Sequence, residues 1–371
     1  MQIGFDAKRL FNNKTGLGNY SRQLIQNIQL AGKQNTYFLF TPKRKLHINF
    51  YSNVVCIEPK AKLWKILSGL WRLIMPAFIC KYNKIKIFHG LSNELPFFLK
   101  LNCIKGIVTI HDLIFLRYPE YYNSFDRLIY KLKTKHACKN ADIIVAISQQ
   151  TKNDICSFYK INPQKIAVIP LSYDAIFSQS IPQNEIQSIQ NKYKLNNPFF
   201  LSVGTVEPRK NQHRLIEAFE LSGIKDTELI IIGNIKSEYA KKLMKLVQQK
   251  ALMVRFLKVS SNEELASIYR LCKAFFYISE FEGFGIPPLE AMASGVPVIV
   301  SNTSSLPEVC GDAGYYVNPT DVLDIKNAFV NINNKDDLRK SLVYKGNERL
   351  KNFDMKLIAN KYLELYNSIV D

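Results

Sequence analysis

Short apolar runs recur along this chain, with room for about one helix between most neighbours. In the first half they fall at 2–5, 37–40, 54–57, 85–88, 107–110, 143–147 and 166–169. In the second half they fall at 199–203, 229–232, 254–259, 274–278, 296–300 and 315–317. Helical segments lie between them, at 19–30 and 125–139 in the first series and at 212–221, 238–249 and 263–272 in the second. The last of these is announced by Ser261-Asn262-Glu263-Glu264, a capping-box pattern. Apolar runs alternating with helices predict mainly parallel sheets of the doubly wound type. At 371 residues the chain exceeds the size at which one core usually stops growing. The expectation is an α/β protein of two Rossmann-like, doubly wound domains facing a central cleft. They span residues 1–180 and 195–353 and are joined by a Gln-, Asn- and Ser-rich linker near 178–197. Ligands are expected in the cleft, near the carboxyl ends of the strands.

Composition narrows the function classes. Hydrophobic content of 47% and 15 scattered prolines fit a globular chain. The apolar stretches are too short and too interrupted by charge to span a bilayer. The start, Met1 to Asp6, is strand-like and shows no basic leader with an apolar core, so no signal peptide is expected. The seven cysteines are widely spaced, without Cys-x-x-Cys, and read as reduced thiols of a cytoplasmic protein. The net charge is +19, and it is lopsided. Residues 1–180 hold 26 Lys/Arg against 9 Asp/Glu, while residues 181–371 hold 24 against 22. A basic half suits an anionic lipid surface or a nucleic acid. No zinc-finger spacing or RNP aromatic signature is present, so no nucleic-acid partner is expected. The plain alternative is a solvated basic surface, which the concentration in one half disfavours. Residues 62–76 hold both tryptophans, Trp64 and Trp71, at helical spacing with Leu67, beside Lys65 and Arg72. Such a segment suits either a membrane interface or packing on the first sheet.

The stretch from Ser279 to Pro297 carries the most chemistry. Glu282 and Glu290 bracket seven residues that include Gly283, Gly285 and the pair Pro287-Pro288. Apolar runs stand on both sides, so the order is strand, glycine loop, short helix, strand. Prolines suit the first helical turn, and a helix N-terminus attracts anions such as diphosphate. Carboxylates beside it accept hydrogen bonds from vicinal hydroxyls. Together these describe a nucleotide-sugar site.

The stretch resembles the E-x7-E signature of GT4 retaining glycosyltransferases, which have the GT-B fold. The resemblance covers almost the whole chain. It includes the glycine loop Thr15-Gly16-Leu17-Gly18-Asn19-Tyr20, the segment Val108-Thr109-Ile110-His111-Asp112-Leu113, and Ser202-Val203-Gly204-Thr205-Val206-Glu207-Pro208-Arg209-Lys210-Asn211. Each piece is weak alone; the four in this order are a strong signal. The His-Asp-Leu and Glu-Pro-Arg-Lys-Asn forms look most like the mannosyltransferase-type branch of bacterial surface polysaccharides. The resemblance implies an acceptor-binding first domain, a donor-binding second domain, and a final helix near 354–371 returning to the first.

It also implies roles. Gly16 and Gly18 would close under the donor diphosphate; alone they would read as an ordinary strand-to-helix turn, and no third glycine completes an NAD fingerprint. His111 would contact the donor sugar near the reacting centre, where a lone histidine is otherwise a buried, bonded one. Asp112 would orient or cap beside it, and His89 is a weaker strand-end candidate. Arg209 and Lys210, beside Gly204 and Thr205, would neutralise the leaving diphosphate; many relatives carry a basic residue where this chain has Thr205. Glu282 would hold donor-sugar hydroxyls, with the backbone of Gly283, Phe284 and Gly285 facing sugar and diphosphate. Glu290, near Leu289, would bind ribose, though helix-dipole compensation alone would also place a glutamate there.

No Asp-x-Asp, His-Glu-x-x-His or Cys-His cluster occurs, so no metal and no cofactor are expected. The reading is a retaining transferase of a hexose, with mannose from GDP-mannose the first choice. The acceptor is lipid-linked or a glycan in O-antigen, capsule or exopolysaccharide synthesis, and the enzyme is peripheral on the cytoplasmic face of the membrane. The alternatives are a UDP-sugar-dependent glucosyl, galactosyl or N-acetylhexosaminyl transferase, a nucleotide-sugar epimerase of the same fold, or a basic binding module.

Overall fold

The computed structural model describes residues 1–13 and 16–370. The chain divides into two units, one of Met1–Ser172 with the segment from Asp354 onward, the other of Tyr173–Phe353.

Among the described residues the first unit has seven strands, β1 (Gln2–Asp6), β2 (Thr36–Phe40), β3 (Val54–Ile57), β4 (Ile87–Gly90), β5 (Lys105–Ile110), β6 (Ile143–Ala146) and β7 (Ile166–Val168). They pair in parallel in the order β3-β2-β1-β4-β5-β6-β7. The second has six, β8 (Phe199–Val203), β9 (Glu228–Ile232), β10 (Val254–Leu257), β11 (Ala274–Tyr277), β12 (Val298–Ser301) and β13 (Gly314–Val317), parallel in the order β10-β9-β8-β11-β12-β13. Each sheet is wound outward from its middle, so the switch points lie between β1 and β4 and between β8 and β11. The runs are apolar throughout because such sheets are covered on both faces. In the second core the rings of Phe276 and Phe329 stack 4.0 Å apart, and Phe200 meets both.

The helix Met355–Val370 belongs to the first unit, and polar groups tie it there. The Tyr366 hydroxyl lies 2.8 Å from His89 Nδ1, and the Tyr362 hydroxyl 2.9 Å from that of Tyr20. His89 Nε2 reaches Thr109 Oγ1 at 2.9 Å, and Thr109 also meets Tyr20 at 3.2 Å. His89 is fully buried, and burial lowers its pKa to about 3. The second strand-end histidine is thus a bonded core residue.

Two expectations change. The units divide at Ser172, ahead of the 178–197 stretch read as a linker. That stretch contains the helix Gln183–Tyr193, tied to the second unit. Glu264 accepts from Lys192 Nζ and from the Tyr193 hydroxyl, both at 2.5 Å, and Arg255 donates to the carbonyls of Tyr193 and Lys194. Its polar composition reflects a helix with no fully buried residue. Residues 62–76 form not one helix but parts of two, Lys62–Ile66 and Ser68–Tyr82, broken at Leu67. Trp71 is buried against Phe40, Trp64 packs half-buried on the same core, and Arg72 pairs with Asp6 at 3.1 Å. The large apolar side chains of this segment left exposed are Leu63, Ile66, Leu67 and Leu70.

Candidate active site

In the second unit the loop after β8 turns sharply. Gly204 has φ +148°, a backbone that favours glycine. Its N–H donates to the Ile232 carbonyl at 2.9 Å. After Glu207 comes a single 3-10 turn, Pro208–Lys210, and then Asn211 at φ +60° opens the helix Gln212–Ser222. This brings the Lys210 side chain beneath Gly204, where a Cβ would sit 3.8 Å from Lys210 Cε. Thr205 is exposed on the same loop. Gly233, after β9, was not singled out from sequence. A Cβ there would lie 1.8 Å from the Gly204 carbonyl oxygen, so the two loops touch through backbone alone.

The loop after β11 supplies the anion. Lys210 Nζ donates to Glu282 Oε1 at 2.6 Å and to the Tyr277 hydroxyl at 2.5 Å. Arg209 Nη1 lies 3.1 Å from the same Oε1 and donates to the Phe281 carbonyl at 2.6 Å, while Nη2 donates to Glu207 Oε1 at 2.6 Å. Burial alone would raise the Glu282 pKa, but the Lys210 and Arg209 charges outweigh it and hold the carboxyl down at about 2. Burial, aided by Arg209, lowers Lys210 despite Glu282. Burial would lower Arg209 as well, but Glu282 and Glu207 keep it raised.

The loop is fastened from behind by residues that carried no motif. The Glu282 N–H donates to Ser304 Oγ at 3.1 Å, and Ser305 Oγ donates to the carbonyls of Glu282 and Phe284 at 3.0 and 2.5 Å. Arg214 pairs with Glu280 at 2.6 Å, and the Glu280 N–H donates to the Arg209 carbonyl. The only sequence hint of Ser304 and Ser305 is their place after the run that becomes β12. Tyr277 is the last residue of β11, and its role is invisible without the Lys210 contact.

Gly283 and Phe284 are buried, and Gly285, at φ +122°, caps the helix Ile286–Ala293. A Cβ on Gly285 would strike Leu306 at 2.7 Å. Leu289 is fully buried, so its side chain is a packing residue here. Glu290, partly exposed, accepts a long 3.4 Å bond from the Tyr269 hydroxyl. Burial, then the charge of Asp174, raises its pKa to about 8. On the Gly233 side of the Gly204 loop, a cavity of about 400 Å³ opens between residues 232–236 and Lys258-Val259, past the ends of β9 and β10.

In the first unit His111 follows β5. Its Nε2 meets the Leu91 carbonyl at 2.9 Å, its backbone N–H donates to Asn93 Oδ1 at 2.9 Å, and the Tyr20 ring stands edge-on at 4.8 Å. A carbonyl only accepts, so Nε2 carries the proton and Nδ1 is the unprotonated nitrogen. Burial lowers its pKa to about 4, so it is neutral near pH 7. Asp112 caps the next turn through the Ile114 N–H. Gly16 and Gly18 form the first turn of the helix Gly16–Ala31, not a loop ahead of it. Gly16 is exposed with nothing near its Cβ position, whereas a Cβ on Gly18 would lie 1.9 Å from the Asn13 carbonyl oxygen. Thr15 of that motif lies outside the described residues. Arg209, Lys210, Glu282 and Gly204 thus form one cluster in the second unit, and His111 and Tyr20 another in the first.

Two family models match in sequence order, "Glycosyltransferase Family 4" over residues 15–175 and "Glycosyl transferases group 1" over residues 183–349. The chain belongs to glycosyltransferase family 4. This glycosyltransferase is 28% identical to O-antigen chain mannosyltransferase B of Escherichia coli, over 99% of each chain. Its fold matches sucrose-phosphate synthase from Thermosynechococcus elongatus with a TM-score of 0.78, at 21% identity over 100% of this chain and 99% of that one. HepE from Anabaena, solved in complex with UDP-glucose, matches with a TM-score of 0.74 at 16% identity, over 99% and 100%. The fold of the glycosyltransferase is therefore GT-B, and the enzyme is of the hexosyl-transferring class. Among the described residues no helix is long and apolar enough to cross a membrane.

Proposed function

We propose that the enzyme transfers mannose from GDP-mannose, with retention, to a lipid-linked or glycan acceptor of a bacterial surface polysaccharide such as O-antigen. The observation that carries the reading is the buried cluster of Arg209, Lys210 and Glu282 at the switch point of the second sheet. Glu282 is the counter-ion of both cations. An arriving diphosphate takes over Arg209 and Lys210 and frees Glu282 to accept from sugar hydroxyls. As the glycosidic bond breaks, charge grows on the leaving diphosphate, and the two cations stabilise it in a largely dry site. Glu290 accepts from the ribose hydroxyls, and the cavity past β9 and β10 takes the base. His111, neutral and with its tautomer held, keeps Nδ1 as an acceptor for a sugar hydroxyl. The fixed positive charges do the work that a divalent ion does elsewhere, so the reaction is metal-independent.

Mannose and O-antigen rest on the likeness to the E. coli mannosyltransferase. The UDP-glucose complex of HepE keeps UDP-sugars in the same trial. The test is a panel of GDP- and UDP-sugars with and without acceptor, reading free nucleoside diphosphate. Acceptor-dependent GDP release from GDP-mannose is the expected result. Release from a UDP-sugar alone would overturn the choice of donor, and release from none would overturn the transferase reading. We also propose a peripheral place on an anionic, cytoplasmic-face membrane, supported by the basic first unit and the exposed Leu63, Ile66, Leu67 and Leu70.

A further inference from the structure

A second cavity, in the first unit, has a lining that does not include His111. It measures about 1030 Å³ and opens where the chain leaves β1, β2 and β3. Lys8 follows β1, Lys43 and Lys45 follow β2, Lys60 follows β3, and Lys65 stands on the next short helix; all five line it. Glu58 is the single acidic residue of the lining, and Arg44 holds it through Nε at 2.8 Å and the backbone N–H at 3.2 Å. Among the described residues none of the five lysines forms an ion pair. Burial lowers the Lys8 pKa, and the neighbouring charges of Arg72 and Arg9 lower it further. A concave wall of unpaired cations at the carboxyl edge of a parallel sheet suits a polyanion.

The rim points to what carries that anion. Lys65 and Ser68 line the cavity, and the same two helices with the Leu67 joint between them expose Leu63, Ile66, Leu67 and Leu70 at 61%, 80%, 42% and 45%. Exposed apolar side chains on the segment that also lines a basic pocket fit one molecule with a phosphorylated head and a long apolar chain.

We propose that this cavity binds the diphosphate of a lipid-linked acceptor, with the lipid chain laid along Leu63, Ile66, Leu67 and Leu70. The inference rests on the transferase reading above and adds to it where the acceptor is held. The cavity has room for the diphosphate and the first sugar attached to it. The lysines grip the part of the acceptor that does not react, so they position the substrate and take no part in the chemistry.

The test uses the full chain with its nucleotide site saturated by GDP or UDP. Binding of inorganic pyrophosphate, farnesyl diphosphate and farnesol is measured by calorimetry. Farnesyl diphosphate is expected to bind about tenfold or more tighter than pyrophosphate, and farnesol not to bind. The double variant Lys43→Ala/Lys60→Ala is expected to weaken both diphosphates about tenfold or more and to leave nucleotide affinity and melting temperature unchanged. Ile66→Ser/Leu70→Ser is expected to remove only the advantage of the farnesyl chain. Unchanged pyrophosphate affinity in the lysine variant would overturn the site. Equal affinity for pyrophosphate and farnesyl diphosphate would overturn the lipid and leave a free phosphate compound as ligand. Normal nucleotide binding beside either failure would confine it to this inference; a wild-type protein that takes no nucleotide would remove the transferase reading, and this one with it.

Discussion

Lys210 and Glu290 show how far single side chains decide the chemistry. Lys210 touches a carboxylate, a phenol and an aromatic face, its Nζ 4.7 Å from the Tyr277 ring centre. Lys210→Ala leaves Arg209 to pair with Glu282, so the fold should survive. One charge-assisted contact to a leaving group is worth about 3–4 kcal/mol, so turnover should fall about 10²–10³-fold. Steady-state kinetics beside a melting curve checks this, and wild-type turnover would remove Lys210 from the site. Glu290 carries a pH signature. Its carboxyl, raised to about 8 by burial and Asp174, holds its proton near pH 7. That proton favours the fold fully below the ordinary carboxylate range, and the contribution is lost as pH rises through about 8. A ribose that prefers the carboxylate form should therefore bind more tightly as pH rises from about 6.5 to about 9. Nucleotide titrations across that range should show the rise in wild type and a flat, weaker profile in Glu290→Gln. The same slope in both would place the titration elsewhere.

At the scale of elements, glycines set how closely loops approach. Gly233→Ala must push the Gly204 loop away, because its Cβ would overlap a backbone carbonyl and not a pliable side chain. Nucleotide affinity should drop about tenfold or more, as for other losses of phosphate-site geometry. Gly16→Ala is the contrast: its Cβ meets nothing, and alanine favours a helix by about 0.5–1 kcal/mol. Its melting temperature should hold or rise, and calorimetry of both variants separates the cases. The sequence made some of this plain. Apolar runs located every strand, since a buried parallel strand needs little beyond its own composition. Arg209, Lys210, Glu282 and Gly204 were readable because a loop motif keeps them near in sequence to the strand ends that present them. Ser304, Ser305, Gly233 and Tyr277 were not. Their partners lie in other loops, and only the sheet order brings those loops together. The tryptophan segment leaves two readings open because a helical stripe of Trp and Leu looks alike whether it meets lipid or a core. Leu67 broke the helix, and the turn sent the tryptophans inward and the leucines out.

For the whole molecule, charge makes the broadest claims. Among the described residues no group of three or more His, Cys, Asp or Glu could hold a metal ion. If Arg209 and Lys210 carry the compensating charge, activity should persist in excess EDTA; a loss restored by magnesium or manganese would contradict the metal-free proposal. The basic first half should bind vesicles of anionic lipid and release them as salt rises, since each cation near such a surface is worth about 1 kcal/mol and is screened within about 10 Å at 0.1 M. Co-sedimentation with anionic and neutral vesicles at low and high salt measures this, and equal binding to both would discard the charge argument. The helix Met355–Val370 has a further consequence, for the order of synthesis. A ribosome delivers all of Tyr173–Phe353 before that helix, yet the helix supplies the Tyr362 and Tyr366 hydroxyls that the buried Tyr20 and His89 bond to. The unit that starts first finishes last: its core stays open at one face while the later-made unit has every residue it needs to fold.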